Sequence, residues 1–168
     1  MAMTEIDAIV VTLGPGSYTG LRVGLATAKG IAYTLEKPLI GLSTLSALAA
    51  AAIQLSPTSI EASTQIFSMI DARRMEVFGA IYDASLKPIL SEQAMVLDQT
   101  KWSSLISQPT ICIGNGHLKT KDFTSTHHLI YLDGNYTSQV LLDLAMAKWT
   151  AGQFEDLAYV GPNYLKEV

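Results

Sequence analysis

Apolar residues fall along this chain in short blocks whose spacing changes from that of covered strands to that of helices and back. The first block, Ala8 to Leu13, reads Ala-Ile-Val-Val-Thr-Leu without strict alternation, which predicts a strand covered on both faces. Gly14-Pro15-Gly16 interrupts it. Ser17 then stands where a hydroxyl can accept a hydrogen bond from a free amide of a first helical turn, and the helix is predicted to run to Leu35. After the stop Glu36-Lys37-Pro38, a short strand over Leu39 to Leu42 and a second helix from Ser43 to just before Pro57 follow. Strand, helix, strand and helix with short links is the pattern of a parallel sheet layered by helices, so the expected class is α/β.

A polar stretch from Ile60 to Gln65 marks the expected boundary between two lobes, residues 1–62 and 63–168. Beyond it, Ile66 to Ile70, Val77 to Asp83 and Ile89 to Val96 are separated by short polar links and predict an antiparallel meander. Trp102 to Ile106 reads as a short helix, Thr110 to Ile113 and Leu129 to Leu132 as strands, and Ser138 to Ala151 as a helix ending at Gly152. Tyr159 to Val168 is expected to be a tail that packs back onto the body, with Lys166 a candidate contact to a partner.

The helix after Ser17 carries more apolar surface than one sheet needs. Leu21, Leu25, Ala28, Ile31, Ala32 and Leu35 form one stripe, and Val23, Ala26, Gly30 and Tyr33 form a second beside it. Arg22, Lys29 and Glu36 share one narrow face, and Gly20 and Gly24 permit close approach by another backbone. A helix buried inside one larger fold and a helix shared with a partner chain account equally well for this pattern.

Composition narrows the functional classes. Of 168 residues, 49% are hydrophobic and only 15% charged, which excludes disorder driven by charge. With 11 basic residues against 15 acidic and a net charge of -4, the chain lacks the field that holds a phosphate backbone unaided, so any nucleic acid would be reached through a partner that supplies the positive surface. The single cysteine, Cys112, lies in the apolar run Ile111-Cys112-Ile113; it excludes an internal disulfide framework and fits a reducing, cytoplasmic setting. The charge-free run from Pro38 to Ile60 is broken by Gly, Ser, Thr, Gln and Pro and reads as strand and helix rather than a membrane span, and no secretory leader is expected.

The most informative stretch is Gly14-Pro15-Gly16-Ser17-Tyr18-Thr19-Gly20. A glycine turn from strand to helix offers free amides that suit an anion. Yet Gly20 is followed by Leu21-Arg22 rather than Lys-Ser/Thr, and the glycine spacing differs from the dinucleotide fingerprint, so a tight turn with a cap and no ligand is the competing reading. Gly14 through Gly24, followed by Lys37-Pro38-Leu39-Ile40-Gly41-Leu42-Ser43-Thr44-Leu45, resembles the signature of the TsaB (YeaZ) family. The resemblance continues through Ile70-Asp71-Ala72-Arg73-Arg74-Met75-Glu76-Val77-Phe78, Ile113-Gly114-Asn115-Gly116 and Gly161-Pro162-Asn163-Tyr164-Leu165-Lys166.

That resemblance implies an actin/Hsp70-like two-lobed fold and a non-catalytic role in making threonylcarbamoyladenosine beside the tRNA anticodon. The implied partners are a TsaD-like catalytic subunit, met through a helical bundle, and a TsaE-like ATPase; a second copy could use the same helix. Leu21, Arg22, Leu25, Ala28, Lys29 and Ala32 are the expected partner-facing residues. The family's leading strand hairpin and helix are expected to be missing before Thr4-Glu5-Ile6-Asp7-Ala8, so no nucleotide cofactor is expected.

Candidate chemistry is sparse. The catalytic relatives carry metal-binding histidines where this chain has Ser43-Thr44-Leu45-Ser46-Ala47-Leu48, which are poor or impossible ligands for a transition metal. His117, His127 and His128 are expected in solvent-exposed loops. Asp71, Arg73 and Arg74 are either a ligand-facing turn or a hairpin whose Asp bonds its own backbone. The rival function, a glycoprotease-like hydrolase, lacks a metal cluster, a Ser-His-Asp set and a Cys with a base.

Overall fold

The computed structural model describes residues 3–56 and 60–166. The strands are β1 (Ile9–Gly14), β2 (Leu39–Ser43), β3 (Gln65–Asp71), β4 (Glu76–Tyr82), β5 (Pro88–Val96), β6 (Thr110–Ile113) and β7 (Leu129–Leu132). The helices are α1 (Tyr18–Leu35), α2 (Thr44–Leu55), α3 (Gln99–Leu105) and α4 (Ser138–Thr150). Two short 3-10 turns, Met3–Glu5 and Asn115–Thr120, go beyond the sequence reading, because they carry no periodicity long enough to signal them. The chain forms two compact units: one is the chain up to Ala47 with Thr137–Tyr164, the other Leu48–Tyr136 with the residues from Leu165.

In the first unit β1 and β2 pair in parallel, Ile9 opposite Leu39 and Thr12 opposite Leu42. Successive side chains point to opposite faces. Ile9, Val11, Leu13 and Leu39 therefore meet Leu25, Ala28 and Ala32 of α1, joined by Leu157 and Val160. Ala8, Val10, Ile40 and Leu42 meet Leu141, Leu144 and Ala145 of α4. Both faces are covered, which is why the sequence of β1 shows no polar alternation.

The second unit is a five-stranded sheet in the order β5-β4-β3-β6-β7. The meander β3-β4-β5 is antiparallel, as its short polar links require, whereas β6 and β7 run parallel to β3. Phe67, Met69, Val77, Ile81, Met95, Trp102 and Cys112 form the core, with the Trp102 ring 6.0 Å from that of Phe67. Buried Gln65 is satisfied by donating to the Leu105 carbonyl at 2.9 Å and to Thr110 Oγ1 at 3.0 Å. Burial pushes the Cys112 thiol up to about 12, so it behaves as a small hydrophobe.

Gly114 fixes the exit from β6. Its φ is +89°, and a Cβ there would lie 2.3 Å from the Met69 carbonyl oxygen, a backbone atom that cannot swing aside. Gly114→Ala is expected to lower stability by about 3 kcal/mol in urea denaturation, from left-handed strain and overlap together. A loss of less than about 0.5 kcal/mol, the range of an ordinary surface change, would contradict the close packing.

Candidate partner interface and glycine loop

Ser17 caps α1, its Oγ accepting from the Gly20 amide at 3.4 Å. Gly14 has φ +116°, and a Cβ on it would meet both the Asn163 carbonyl oxygen and Leu21 Cδ1 at 2.9 Å. Gly16 packs more loosely on the Leu21 side chain, at 3.8 Å or more from the Cβ position, and Thr19 and Gly20 are exposed. Tyr18 stacks on Tyr164 with ring centroids 5.2 Å apart.

The partner stripe expected from the sequence requires correction. Leu25, Ala28 and Ala32 are 4%, 6% and 0% exposed and belong to the unit's own core, while Leu21 is half-buried. They hold the largest continuous apolar row of α1, and the sheet of β1 and β2 takes it. Arg22 and Lys29 flank that row and hold the C-terminal tail: Arg22 Nε donates to Tyr164 Oη at 2.9 Å, and Lys29 Nζ donates to the Val160 carbonyl at 3.2 Å.

The second stripe is the exposed one. Val23 is 61% and Tyr33 79% exposed, and Gly20, Gly24, Ala26, Thr27, Gly30 and Thr34 also lie on the surface. None of these is charged. Cβ positions built at Gly24 and Gly30 meet nothing within 4 Å, so neither glycine is required by packing inside the chain. Each costs the helix about 1 kcal/mol relative to Ala. This glycine placement, already present in the sequence, is what separates the outward stripe from the inward one.

The turn between β3 and β4 is held by Asp71. Its Oδ1 accepts from the Arg73 amide and from Lys119 Nζ, both at 2.6 Å, and its own amide donates to Asn115 Oδ1 at 2.9 Å. Lys119 also donates to the Glu76 carbonyl at 2.8 Å, and Lys166 pairs with the Glu76 carboxylate. Arg73 and Arg74 are exposed and have φ of 69° and 50°. The Lys119 ammonium, then the Arg73 amide, hold the Asp71 carboxyl below its ordinary value. A depressed carboxyl contributes stability that is present above the unfolded-state value and lost as pH falls through the folded one. The melting temperature of wild type should therefore exceed that of Asp71→Asn at pH 7 and converge with it below about pH 3, under the ordinary carboxylate range; a gap that persists in acid would contradict this.

One histidine expectation is corrected. His127 and His128 are exposed, but His117 is 2% exposed. Gly116 lets the 3-10 turn press against Met69, bringing the imidazole 5.5 Å from the Tyr131 ring with Nε2 3.3 Å from Asp133 Oδ1. Among the described residues, no three His, Cys, Asp or Glu side chains are placed to hold a metal ion, and no helix is long and apolar enough to cross a membrane.

A family profile described as "TsaD: tRNA N6-adenosine threonylcarbamoyltransferase" matches residues 1–142. The chain is 28% identical to the tRNA threonylcarbamoyladenosine biosynthesis protein TsaB of Escherichia coli, over 98% of this chain and 73% of that protein. It is 31% identical to the TsaB protein of Bacillus subtilis over 68% of this chain and 49% of that one. The chain belongs to this family, in its TsaB (YeaZ) branch. YeaZ from Pseudomonas aeruginosa superimposes with a TM-score of 0.79 at 24% identity, covering 98% of this chain and 76% of that one. The fold is therefore the actin/Hsp70-like fold of YeaZ. In this TsaB-branch chain the segment after β2 is used for helix capping: Ser43 Oγ accepts from the amides of Leu45 at 3.1 Å and Ser46 at 3.2 Å.

Proposed function

We propose that this chain is a non-catalytic subunit of the machinery that makes threonylcarbamoyladenosine in tRNA, and that it docks a TsaD-like catalytic subunit through the outward face of α1. The observation that carries this reading is the uncharged row Val23, Thr27, Gly30 and Thr34 with Gly24 beside it, exposed on a helix whose other side already fills the core. Two glycines with open space where a Cβ would stand weaken an isolated helix but let a second helix approach closely. An exposed, uncharged face of apolar and small residues supports reading it as an interaction surface. A second copy of the chain could occupy the same face when the catalytic subunit is absent.

In this assembly the catalytic subunit and a TsaE-like ATPase supply the chemistry and the ATP turnover, and the net charge of -4 leaves tRNA to be held by the partner. A hydrolase would need an activated nucleophile or a metal, and the only cysteine is buried with its thiol pushed up to about 12. Reconstitution of the modification with purified catalytic subunit and ATPase tests the reading. Adding this chain is expected to raise the yield of modified adenosine at least tenfold. Equal yield without it, or peptide hydrolysis by the chain alone, would overturn the proposal.

A further inference from the structure

The segment Leu157–Tyr164, which follows α4, is fastened to α1 along its length. Leu157 and Val160 pack against Leu25, Ala28 and Ala32, and Lys29 Nζ holds the Val160 carbonyl. At the far end the Asn163 amide donates to the Leu13 carbonyl at 2.7 Å, and the Asn163 carbonyl lies over Gly14. Tyr164 then lays its ring on Tyr18 while its hydroxyl accepts from Arg22 Nε, and the Arg22 guanidinium sits 4.1 Å over the Tyr18 ring. Both cations of α1 are thus turned onto the tail. Their side chains flank the outward face without lying on it.

We propose that the tail is a latch for the docking helix, with Arg22 and Tyr164 as positioning residues that fix the glycine loop and the first turn of α1 before the partner arrives. This rests on the reading of α1 as the docking helix. The first turn of a helix is its weakest part, because its amides lack intrahelical acceptors and Ser17 satisfies only one of them here. A partner that met a frayed turn would have to order it on binding, and ordering costs affinity. A guanidinium stacked on one tyrosine and bonded to another is a planar arrangement that lysine cannot reproduce.

The test uses Tyr164→Ala, Arg22→Gln and their double variant in the full chain, reading amide exchange at Gly20 and Leu21 in the free protein and affinity for the catalytic subunit. Each single variant is expected to speed exchange and weaken binding about tenfold, equivalent to about 1.4 kcal/mol. The double variant should be no weaker than the worse single one, because both changes open the same latch. Tyr164→Phe, which keeps the ring stack, should fall between wild type and Tyr164→Ala, and Arg22→Lys should not restore binding. Additive losses with unchanged exchange would mean that the two residues touch the partner directly, and would overturn the latch. Faster exchange with unchanged affinity would also overturn it while leaving α1 as the docking helix. Wild-type chain that does not bind the catalytic subunit would instead remove the docking reading, and the latch with it.

Discussion

Val23→Glu is expected to abolish the complex with the catalytic subunit while leaving the chain folded. Val23 is 61% exposed in the free chain, so a carboxylate there is solvated and folding stability should change by less than about 0.5 kcal/mol. If an apolar partner helix covers this face as proposed, the same carboxylate would be buried there, a situation that costs about 3 kcal/mol or more when no counter-ion meets it, a loss of at least a hundredfold in affinity. Gly24→Ala provides the complementary sign. The open space at Gly24 accepts a methyl group, and the isolated chain should gain about 0.5–1 kcal/mol from the better helix former. The complex should weaken all the same, because the methyl group holds the helices apart. Sizing chromatography with the catalytic subunit, beside thermal melts of each variant alone, separates the two effects; Val23→Glu that still co-elutes would show that the partner uses another surface.

Leu25→Ala should do the opposite. Its side chain is 4% exposed between α1 and the sheet of β1 and β2, so truncation leaves a cavity and is expected to cost about 3 kcal/mol. That is a large fraction of the 5–15 kcal/mol that holds a typical domain together. Leu25→Glu should unfold the first unit outright, because a carboxylate would be buried among apolar side chains while Lys29, one turn on, already donates to the Val160 carbonyl. Loss of partner binding in that variant would follow from lost structure, and loss of near-ultraviolet dichroism alongside it is the expected sign. Leu25→Glu that keeps a native melt and loses only the complex would return this stripe to the partner.

Neighbouring positions on one helix thus predict opposite outcomes, and they show where sequence reading succeeds and where it stops. The strands and helices were legible because their blocks carry clear periodicity and their ends are marked by Ser17, by Lys37-Pro38 and by the short polar links of the meander. The two stripes of α1 were legible as well. Their assignment was not, since a helical wheel records which residues share a face and not which face a sheet will take. Glycines at 24 and 30 were the usable signal, because a helix gains nothing from them inside its own chain.

Long-range closure was the other missing part. That α4 covers Val10 and Ile40 from the far side of β1 and β2 is set by side-chain contacts more than a hundred residues apart, and the pattern of Ser138–Thr150 does not encode them. The burial of His117 has the same long-range origin. Its neighbours Gly116 and Lys119 suggest a loop, and only the fit of Gly116 against Met69 draws the imidazole inside. For the Asp71 turn the sequence leaves a ligand-facing turn and a hairpin whose Asp bonds its own backbone both open; the Asp71 carboxylate does accept from the Arg73 amide, and its ion pair with Lys119, far along the chain, has no signal in the sequence.

The docking face can be tested through the thiol chemistry of the chain itself. The only cysteine, Cys112, is buried, with its thiol pushed up to about 12, and is expected to resist alkylation in the folded state. Thr27→Cys places one reactive thiol in the middle of the outward face of α1, at an exposed position. Its alkylation rate, measured with and without a saturating amount of the catalytic subunit, should fall at least tenfold on complex formation. A complex that forms while the thiol at position 27 keeps its free rate would contradict the assignment of this face.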